Sequence, residues 1–268
     1  MVKVNREVIT AGHYPDNTLL IKAPAINVAL PTNDSVTIEW YYENDAELFT
    51  IICLRKHFAK ARKVRLFMPY CPHARMDRVK NETDVFTLKY FADTINNLDF
   101  NGVTILDPHS SVCEALINNV NVLSPQLYIH YTLEKVYYDK QDDFMIFYPD
   151  EGAMKRYSGI YQIPYAFGVK KRDWATGKIQ GLDAMGDVEG IKGKRVLIID
   201  DICSKGGTFY HSAKKLRELG ASEVYLYITH CENTIFEGEL LTTDLIDKIY
   251  TTNSIFTKEH EKIEVFKI

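Results

Sequence analysis

The residues best suited to chemistry lie between positions 196 and 208, where the chain reads Val-Leu-Ile-Ile-Asp-Asp-Ile-Cys-Ser-Lys-Gly-Gly-Thr. The pattern predicts an apolar strand ending at Asp200 and Asp201, a short loop, and a helix over about 208–219. Glycines let backbone N–H groups converge on an anion, and a helix N-terminus adds a favourable dipole. Paired carboxylates suit a sugar diol or a hydrated Mg²⁺. A phosphate site is therefore predicted, wrapped by Ser204, Lys205, Gly206, Gly207 and Thr208.

Two further polar segments each follow an apolar run in the first half of the chain. After VRLFM comes Pro-Tyr-Cys-Pro-His-Ala-Arg-Met-Asp-Arg, in which Arg75 and Arg78 could grip a polyphosphate through fork-like hydrogen bonds. A surface salt-bridge cluster is the alternative. After VTIL comes Asp107-Pro108-His109-Ser110, whose carboxylate and imidazole could hold a metal directly or through water, or form an ordinary turn.

Two comparable segments occur in the second half. After FMIFY comes Pro-Asp-Glu-Gly-Ala-Met-Lys-Arg, an acidic strand end at Asp150 followed by glycine and basic residues. This pattern suits a Mg-phosphate group, although taken alone it does not decide for one. Lys170-Lys171-Arg172-Asp173 leads into a segment spaced by glycines. Cations at the root of such a segment predict a mobile lid over phosphates, with a solvated loop as the alternative. The glycines are Gly177, Gly181, Gly186, Gly190 and Gly193.

Alternating strands and helices must position these segments. Apolar periodicity predicts strands over 64–68, 103–106, 144–148, 165–169, 195–199 and 223–228. It predicts helices over about 46–63, 86–98, 112–118 and 208–219. The second of these would bury Phe86, Tyr90, Phe91, Ile95 and Leu98, and the last would bury Phe209, Ala213 and Leu216. This alternation predicts an α/β fold of parallel sheets with helices on both faces, and ligands at the carboxyl ends of the strands.

In order and spacing, the segments resemble the ribose-phosphate diphosphokinase (PRPP synthetase) family. That family reads Pro-Tyr-x-x-x-Ala-Arg-Gln-Asp-Arg, Asp-Leu-His, Ser-Pro-Asp-x-Gly-x-x-x-Arg, Lys-x-Arg and then an Asp-Asp ribose-phosphate loop. The resemblance covers about Ala46 to the end of the chain. It implies two tandem phosphoribosyltransferase-like domains with parallel sheets flanked by helices. Residues 1–123 would form the ATP-phosphate side, and residues 124–268 would carry the ribose-phosphate loop.

The resemblance also implies a reaction and a role for each segment. The diphosphoryl group of ATP would move to the anomeric hydroxyl of ribose 5-phosphate, giving PRPP and AMP. Lys170 and Arg172 match the catalytic pair, His109 and Asp150 would serve Mg²⁺ or Mn²⁺, and the 204–208 loop would hold the 5-phosphate. Asp200 and Asp201 would contact ribose hydroxyls, directly or through Mg²⁺. The ATP-binding residues would be Arg75, Met76, Asp77 and Arg78.

Several departures from the family pattern leave the acceptor open. The Phe-x-Asp-Gly-Glu segment that frames adenine has no match before Ala46, Met76 replaces Gln, and Pro108 replaces Leu. Ser204-Lys205 replaces Asp-Thr, and the extra cation suits a more anionic acceptor. The chain thus also resembles divergent phage-encoded members, some of which diphosphorylate ADP-ribose in rebuilding NAD⁺. A phosphoribosyltransferase and an inactive regulatory paralogue are lesser alternatives.

Composition sets the broad class of the protein. The 268 residues are 46% hydrophobic and 25% charged, enough to bury one large or two modest cores, with a net charge of −4. This charge argues against nucleic-acid or membrane-surface partners. Five cysteines without metal-ligand spacing indicate reduced thiols. We therefore expect a cytoplasmic protein, which the family resemblance predicts to be a homo-oligomer, either a dimer or a hexamer.

Overall fold

The computed structural model of the protein describes residues 1–24, 35–137, 143–172 and 179–268, except the side chains of 170–172 and 179–181. The chain divides into two compact units, Met1–Ser124 and Pro125–Ile268. Within the described ranges, no helix is long and apolar enough to cross a lipid bilayer.

The first unit contains eight strands and three helices in its described part. The strands are β1 (Val2–Val4), β2 (Glu7–Val8), β3 (Thr10–His13), β4 (Leu19–Lys22), β5 (Ser35–Trp40), β6 (Lys63–Phe67), β7 (Gly102–Leu106) and β8 (Val120–Leu123). The helices are α1 (Glu47–His57), α2 (Thr87–Asn97) and α3 (Ser111–Leu116). The main sheet has the order β2-β1-β5-β6-β7-β8, and β3 and β4 form a separate hairpin. Strands β5 to β8 are parallel, whereas β1 runs antiparallel to both of its neighbours.

Two expectations about the first unit's helices are wrong in detail. Helix α1 ends at His57 rather than near Lys63, because Phe58 leaves helical geometry and is buried in the core. Tyr90 was expected on the inner face of α2 but is 59% exposed. The buried stripe instead runs through Leu88, Phe91 and Ile95, which share one face of a 3.6-residue helix.

The second unit contains seven strands and three α-helices in its described part. The strands are β9 (Phe144–Tyr148), β10 (Tyr165–Arg172), β11 (Ile179–Gly186), β12 (Arg195–Cys203), β13 (Glu223–Cys231), β14 (Lys248–Thr252) and β15 (Ile263–Phe266). The helices are α4 (Gln126–Val136), α5 (Glu151–Tyr157) and α6 (Gly207–Glu218), with 3₁₀ turns at Glu189–Ile191 and Asn233–Glu237. The sheet order is β11-β10-β9-β12-β13-β14-β15.

The central strands of this sheet are buried on both faces. Alternate residues of β9 enter two different cores, with Met145 and Phe147 on one side and Ile146 and Tyr148 on the other. Helix α6 covers the first side, and the residues it buries there are Phe209, Ala213 and Leu216, as expected. Helices α4 and α5 contribute to the second core. Near-continuous apolar runs are typical of parallel strands covered by helices, and the predicted α/β fold is confirmed.

The glycine-spaced segment after Lys170 is not simply a loop. Strand β10 continues to Arg172 and pairs antiparallel with β11, so the second unit has an antiparallel edge that the expected alternation lacked. Leu182 and Ala184 alternate along β11 and pack against a core, which explains why this part is a strand. Gly181 and Gly186 belong to β11, whereas Gly177 and Asp173 lie outside the described residues.

Candidate active site

The predicted phosphate loop connects β12 to α6. Strand β12 extends to Cys203, so Asp200 and Asp201 lie within the strand, near its carboxyl end. Helix α6 begins at Gly207. Gly206 has a φ of +82°, and a Cβ there would collide with the buried side chain of Leu240. Only glycine fits this position without strain. The first N–H groups of α6 have no helical partners of their own and are suited to an anion.

The segment 232–240, which follows β13, packs along the phosphate loop. The backbone N–H of Glu232 donates to the carbonyl of Cys203 over 2.8 Å. A Cβ on Gly238 would collide with the backbone carbonyl of Lys205, so the two segments approach as closely as their backbones allow. Leu240 fills the space beside Gly206. The sequence analysis did not predict that the 232–240 segment packs against the phosphate loop. Its only visible signal was Gly238, a glycine after a predicted strand.

Three carboxylates gather at the carboxyl ends of β9 and β12, which are neighbouring parallel strands. Burial raises the pKa of Asp200 well above its ordinary value, and the negative charges of Asp201 and Asp150 raise it further. The N–H of Asp201 donates to Oδ1 of Asp200 over 2.9 Å. Asp150 caps α5 by accepting from the N–H of Ala153 over 3.1 Å. The cluster therefore stores electrostatic repulsion that a cation or a hydroxyl donor would relieve.

Arg156 holds one member of this cluster. Its Nη1 donates to Oδ2 of Asp201 over 3.0 Å, and the Asp201 side chain is only 5% exposed. The pair fixes the orientation of Asp201, since a carboxylate gripped by a guanidinium cannot rotate freely. Arg156 was not predicted as a site residue, although it occupies the final arginine of the Pro-Asp-x-Gly-x-x-x-Arg pattern.

Asp200→Asn should make the protein more stable at neutral pH, even as it removes a site residue. Because the pKa of Asp200 is higher in the folded than in the unfolded state, its contribution is fully favourable below about pH 4 and declines as the pH rises. The asparagine keeps the acceptor for the Asp201 N–H but carries no charge. We expect Tm to rise by about 2–4 °C at pH 7.5, with a difference that narrows towards about pH 4.5.

Thermal denaturation followed by circular dichroism at both pH values measures this difference. Asp93→Asn, at an exposed position of α2, is the matched control and should leave Tm unchanged. A lower Tm for Asp200→Asn than for the wild-type protein at pH 7.5 would show that the carboxylate is stabilising, contrary to this account.

The acidic cluster fits a hydrated Mg²⁺. No group of three His, Cys, Asp or Glu side chains in the described ranges is arranged as a complete set of metal ligands. Mg²⁺ usually keeps several waters and binds one or two carboxylates together with substrate phosphates, so it does not need such a set. Asp150, Asp200 and Asp201 offer hard oxygen ligands, and their mutual repulsion is what a cation would offset.

In the first unit, the two predicted polar segments meet where β6 and β7 end. Hydrogen bonds from Arg78 are the main reason that the pKa of Asp77 falls to about 2, and Ser110 and the charge of His109 lower it further. The Nε and Nη2 atoms of Arg78 lie 2.7 and 2.8 Å from the two Asp77 oxygens. Ser110 was not predicted as a partner. It also caps α3 by accepting from the N–H of Val112 over 3.2 Å.

The predicted ATP-binding residues of this segment differ in exposure. Arg75 and Arg78 are exposed, whereas Met76 is half-buried; His109, predicted to serve a metal ion, is also exposed. The guanidinium of Arg78 grips Asp77, as in the salt-bridge alternative, so a bound phosphate would have to share or replace that contact. The ATP-binding assignment of these residues stays a prediction.

Only the backbone of the predicted catalytic pair is described. Lys170 lies opposite Leu182 and Arg172 opposite Ile179 in the antiparallel β10–β11 pair. The pairing shifts by one residue between Lys171 and Arg172, which indicates a bulge or other irregularity at this end of the hairpin. The side chains of Lys170 and Arg172 lie outside the described part of the chain, so their catalytic role stays a prediction.

Comparison with known proteins gives a consistent picture. The family model of the phosphoribosyl synthetase-associated domain matches residues 175–268. A ribose-phosphate pyrophosphokinase from Pyrococcus furiosus is 30% identical over 201 residues, covering 73% of this chain and 68% of that protein. The Pyrococcus abyssi protein of the same name is 27% identical, covering 84% and 77%. A third, from Nostoc sp., is 29% identical and covers 76% and 61%, so about two fifths of its length has no counterpart in the alignment.

A solved structure supports the fold independently. The crystal structure of phosphoribosylpyrophosphate synthetase from Mycobacterium smegmatis matches with a TM-score of 0.77 and 19% identity, covering 97% of this chain and 86% of that one. This likeness establishes the fold, and the 30% identity to the Pyrococcus furiosus enzyme over two thirds of its length establishes the kinship. The chain belongs to the ribose-phosphate pyrophosphokinase (PRPP synthetase) family of transferases.

Proposed function

We propose that this protein transfers the diphosphoryl group of ATP to the anomeric hydroxyl of ribose 5-phosphate, forming PRPP and AMP. The observation that carries the proposal is the β12–α6 connection, where a glycine-dependent loop opens a helix shortly after half-buried Asp200 and buried Asp201. One strand end thus offers N–H donors for a phosphate and acceptors for sugar hydroxyls. Family membership supplies the reaction class.

The acceptor would bind to the second unit. The loop from Ser204 to Thr208 would hold its 5-phosphate, while Asp200 and Asp201 would accept hydrogen bonds from the ribose hydroxyls. Arg156 keeps the Asp201 carboxylate oriented for this contact. Binding at several points limits the freedom of the sugar and places the anomeric hydroxyl in one position.

The ATP phosphates would bind Arg75 and Arg78, with Met76 and Asp77 completing that segment in the first unit. Lys170 and Arg172 would stabilise the charge that develops on the transferred group, since catalysis of phosphoryl transfer consists largely of positioning and charge stabilisation. Mg²⁺ or Mn²⁺, when bound, would neutralise the polyphosphate. In the second unit, Asp150 would hold such an ion, with Asp200 and Asp201 as further oxygen ligands. In the first unit, His109 would serve a metal ion.

A direct assay tests this proposal. Purified protein incubated with ATP, Mg²⁺ and ribose 5-phosphate should form AMP and PRPP in equal amounts, as measured by chromatography. Removing the divalent ion with EDTA should abolish AMP formation, and adding Mg²⁺ or Mn²⁺ should restore it. An undiminished rate in EDTA would contradict the metal role. Failure to form AMP with any ribose phosphate acceptor would contradict the reaction itself.

A second acceptor, ADP-ribose, is favoured by the cations beside the loop. Lys205 replaces the neutral residue of the family pattern, and it is exposed at the loop rim. Lys258 lies nearby, with its Nζ 4.7 Å from the ring centroid of exposed Phe236. Two cations and an aromatic ring would suit a diphosphate that carries a nucleoside. Measuring kcat/KM for both acceptors side by side decides between them, and a clear preference for ADP-ribose would overturn ribose 5-phosphate.

A further inference from the structure

The rim of the phosphate loop contains a carboxylate that the proposed reaction does not use. Glu237 ends the 3₁₀ turn Asn233–Glu237, and its Oε2 lies 2.8 Å from the Nζ of Lys205. Lys205 and, to a smaller extent, Lys258 lower the pKa of Glu237. Glu237 therefore places a negative charge beside the positive charges of Lys205 and Lys258 at this rim.

The backbone, rather than the ion pair, holds these groups together. Gly238 packs against the carbonyl of Lys205, and Leu240 packs against Gly206, so the turn bearing Glu237 is placed beside the loop by close packing. The Lys205 and Glu237 side chains are 65% and 58% exposed. Exposed ion pairs contribute little to folding stability, so the main consequence of this pair is electrostatic. Its field acts on whatever binds at the adjacent loop.

The sign of that field distinguishes two kinds of acceptor. A sugar monophosphate places its charge on the N–H groups of the loop and needs no further cation. An acceptor that carries a diphosphate on its 5-oxygen places the charge of its second phosphate further out, towards the rim. There the carboxylate of Glu237 repels the second phosphate. Glu237 also pairs with the ammonium of Lys205, which would otherwise bind that phosphate.

We propose that Glu237 is a specificity-determining residue of the acceptor site, which engages Lys205 and disfavours acceptors that carry a diphosphate on the 5-position. The inference rests on the proposed function, because it takes the 204–208 loop as the binding site of the acceptor's phosphate. It also assigns opposite roles to two neighbouring charges. Lys205 favours the longer acceptor, and Glu237 limits that preference.

Glu237→Gln tests this role with little change in shape. Glu239→Gln is the matched control, because Glu239 is an exposed carboxylate on the same segment. Isothermal titration calorimetry of the protein with Mg²⁺ and without ATP gives the affinities for ribose 5-phosphate and for ADP-ribose, and hence their ratio. We expect Glu237→Gln to shift this ratio about two- to fivefold towards ADP-ribose, the range for an exposed charge pair. The shift should shrink at high salt.

The double variant Lys205→Thr/Glu237→Gln identifies the charge responsible. If Glu237 acts by engaging Lys205, the double variant should show little of the shift towards ADP-ribose that Glu237→Gln alone produces. The inference is overturned if Glu237→Gln changes the ratio of the two acceptor affinities no more than Glu239→Gln does, even if the enzyme forms PRPP. A shifted ratio in a protein that forms no AMP supports the inference and contradicts only the proposed reaction. Lack of binding by both acceptors contradicts both.

Discussion

Replacing Lys170 with alanine is expected to lower kcat by roughly 10²-fold or more, the scale of losing a preorganised charge donor. Lys170 matches the first residue of the family's Lys-x-Arg pair and lies in β10, the strand that enters the β10–β11 hairpin. An ammonium group that acts mainly on the transferred phosphoryl group should affect kcat more than the KM for either substrate. Initial rates of AMP formation over a range of ATP and acceptor concentrations separate the two parameters.

The matched control for this experiment is Lys214→Ala. Lys214 is an exposed lysine of α6, and its removal changes the net charge by the same amount. We expect it to retain wild-type turnover. Tm should change little in Lys170→Ala, so a lower kcat together with a large drop in Tm would indicate a structural role. Near wild-type turnover in Lys170→Ala would show that the catalytic assignment is wrong.

Gly206→Ala is expected to destabilise the protein and weaken acceptor binding at the same time. The backbone at Gly206 is left-handed, with φ of +82°, which costs a residue with a side chain about 1–2 kcal/mol. The added methyl group would also collide with Leu240, which is fully buried, and overpacking of this kind costs about 1–3 kcal/mol. Because relief requires movement of the loop, kcat/KM for ribose 5-phosphate should fall on the order of 10- to 100-fold.

The adjacent glycine provides the control for stability. A Cβ on Gly207, the first residue of α6, would meet no atom within 4 Å, so Gly207→Ala should leave Tm unchanged or slightly raised. Adding Leu240→Ala to Gly206→Ala removes the collision but not the strained φ, and it should restore part of kcat/KM. Equal Tm values for Gly206→Ala and Gly207→Ala, measured by thermal denaturation, would contradict this account of the loop.

The core of the candidate site could be predicted from sequence because its determinants are adjacent in the chain. The apolar run of β12 indicates a strand buried on both faces, and the two glycines at the start of α6 indicate a turn whose N–H groups can point towards an anion. The same local logic correctly predicted the strand Phe144–Tyr148 and the inward face of α6. It failed for Tyr90, whose aromatic character suggested burial although its position on α2 faces outward.

Contacts between distant segments were decided only by the tertiary structure. Three such contacts join residues whose types permit many other partners. They are the hydrogen bond from Arg156 to Asp201, the contact of Gly238 with Lys205, and the pairing of β10 with β11. A surface glutamate such as Glu237 gives no periodicity and no turn signal, so its role cannot be read from its neighbours in sequence. Its position follows from the order in which β12 and β13 lie side by side, which brings the loops after both strands to the same edge of the sheet. Sheet order is set by the packing of both sheet faces against helices, which involves the whole unit, whereas sequence patterns report on a few residues at a time.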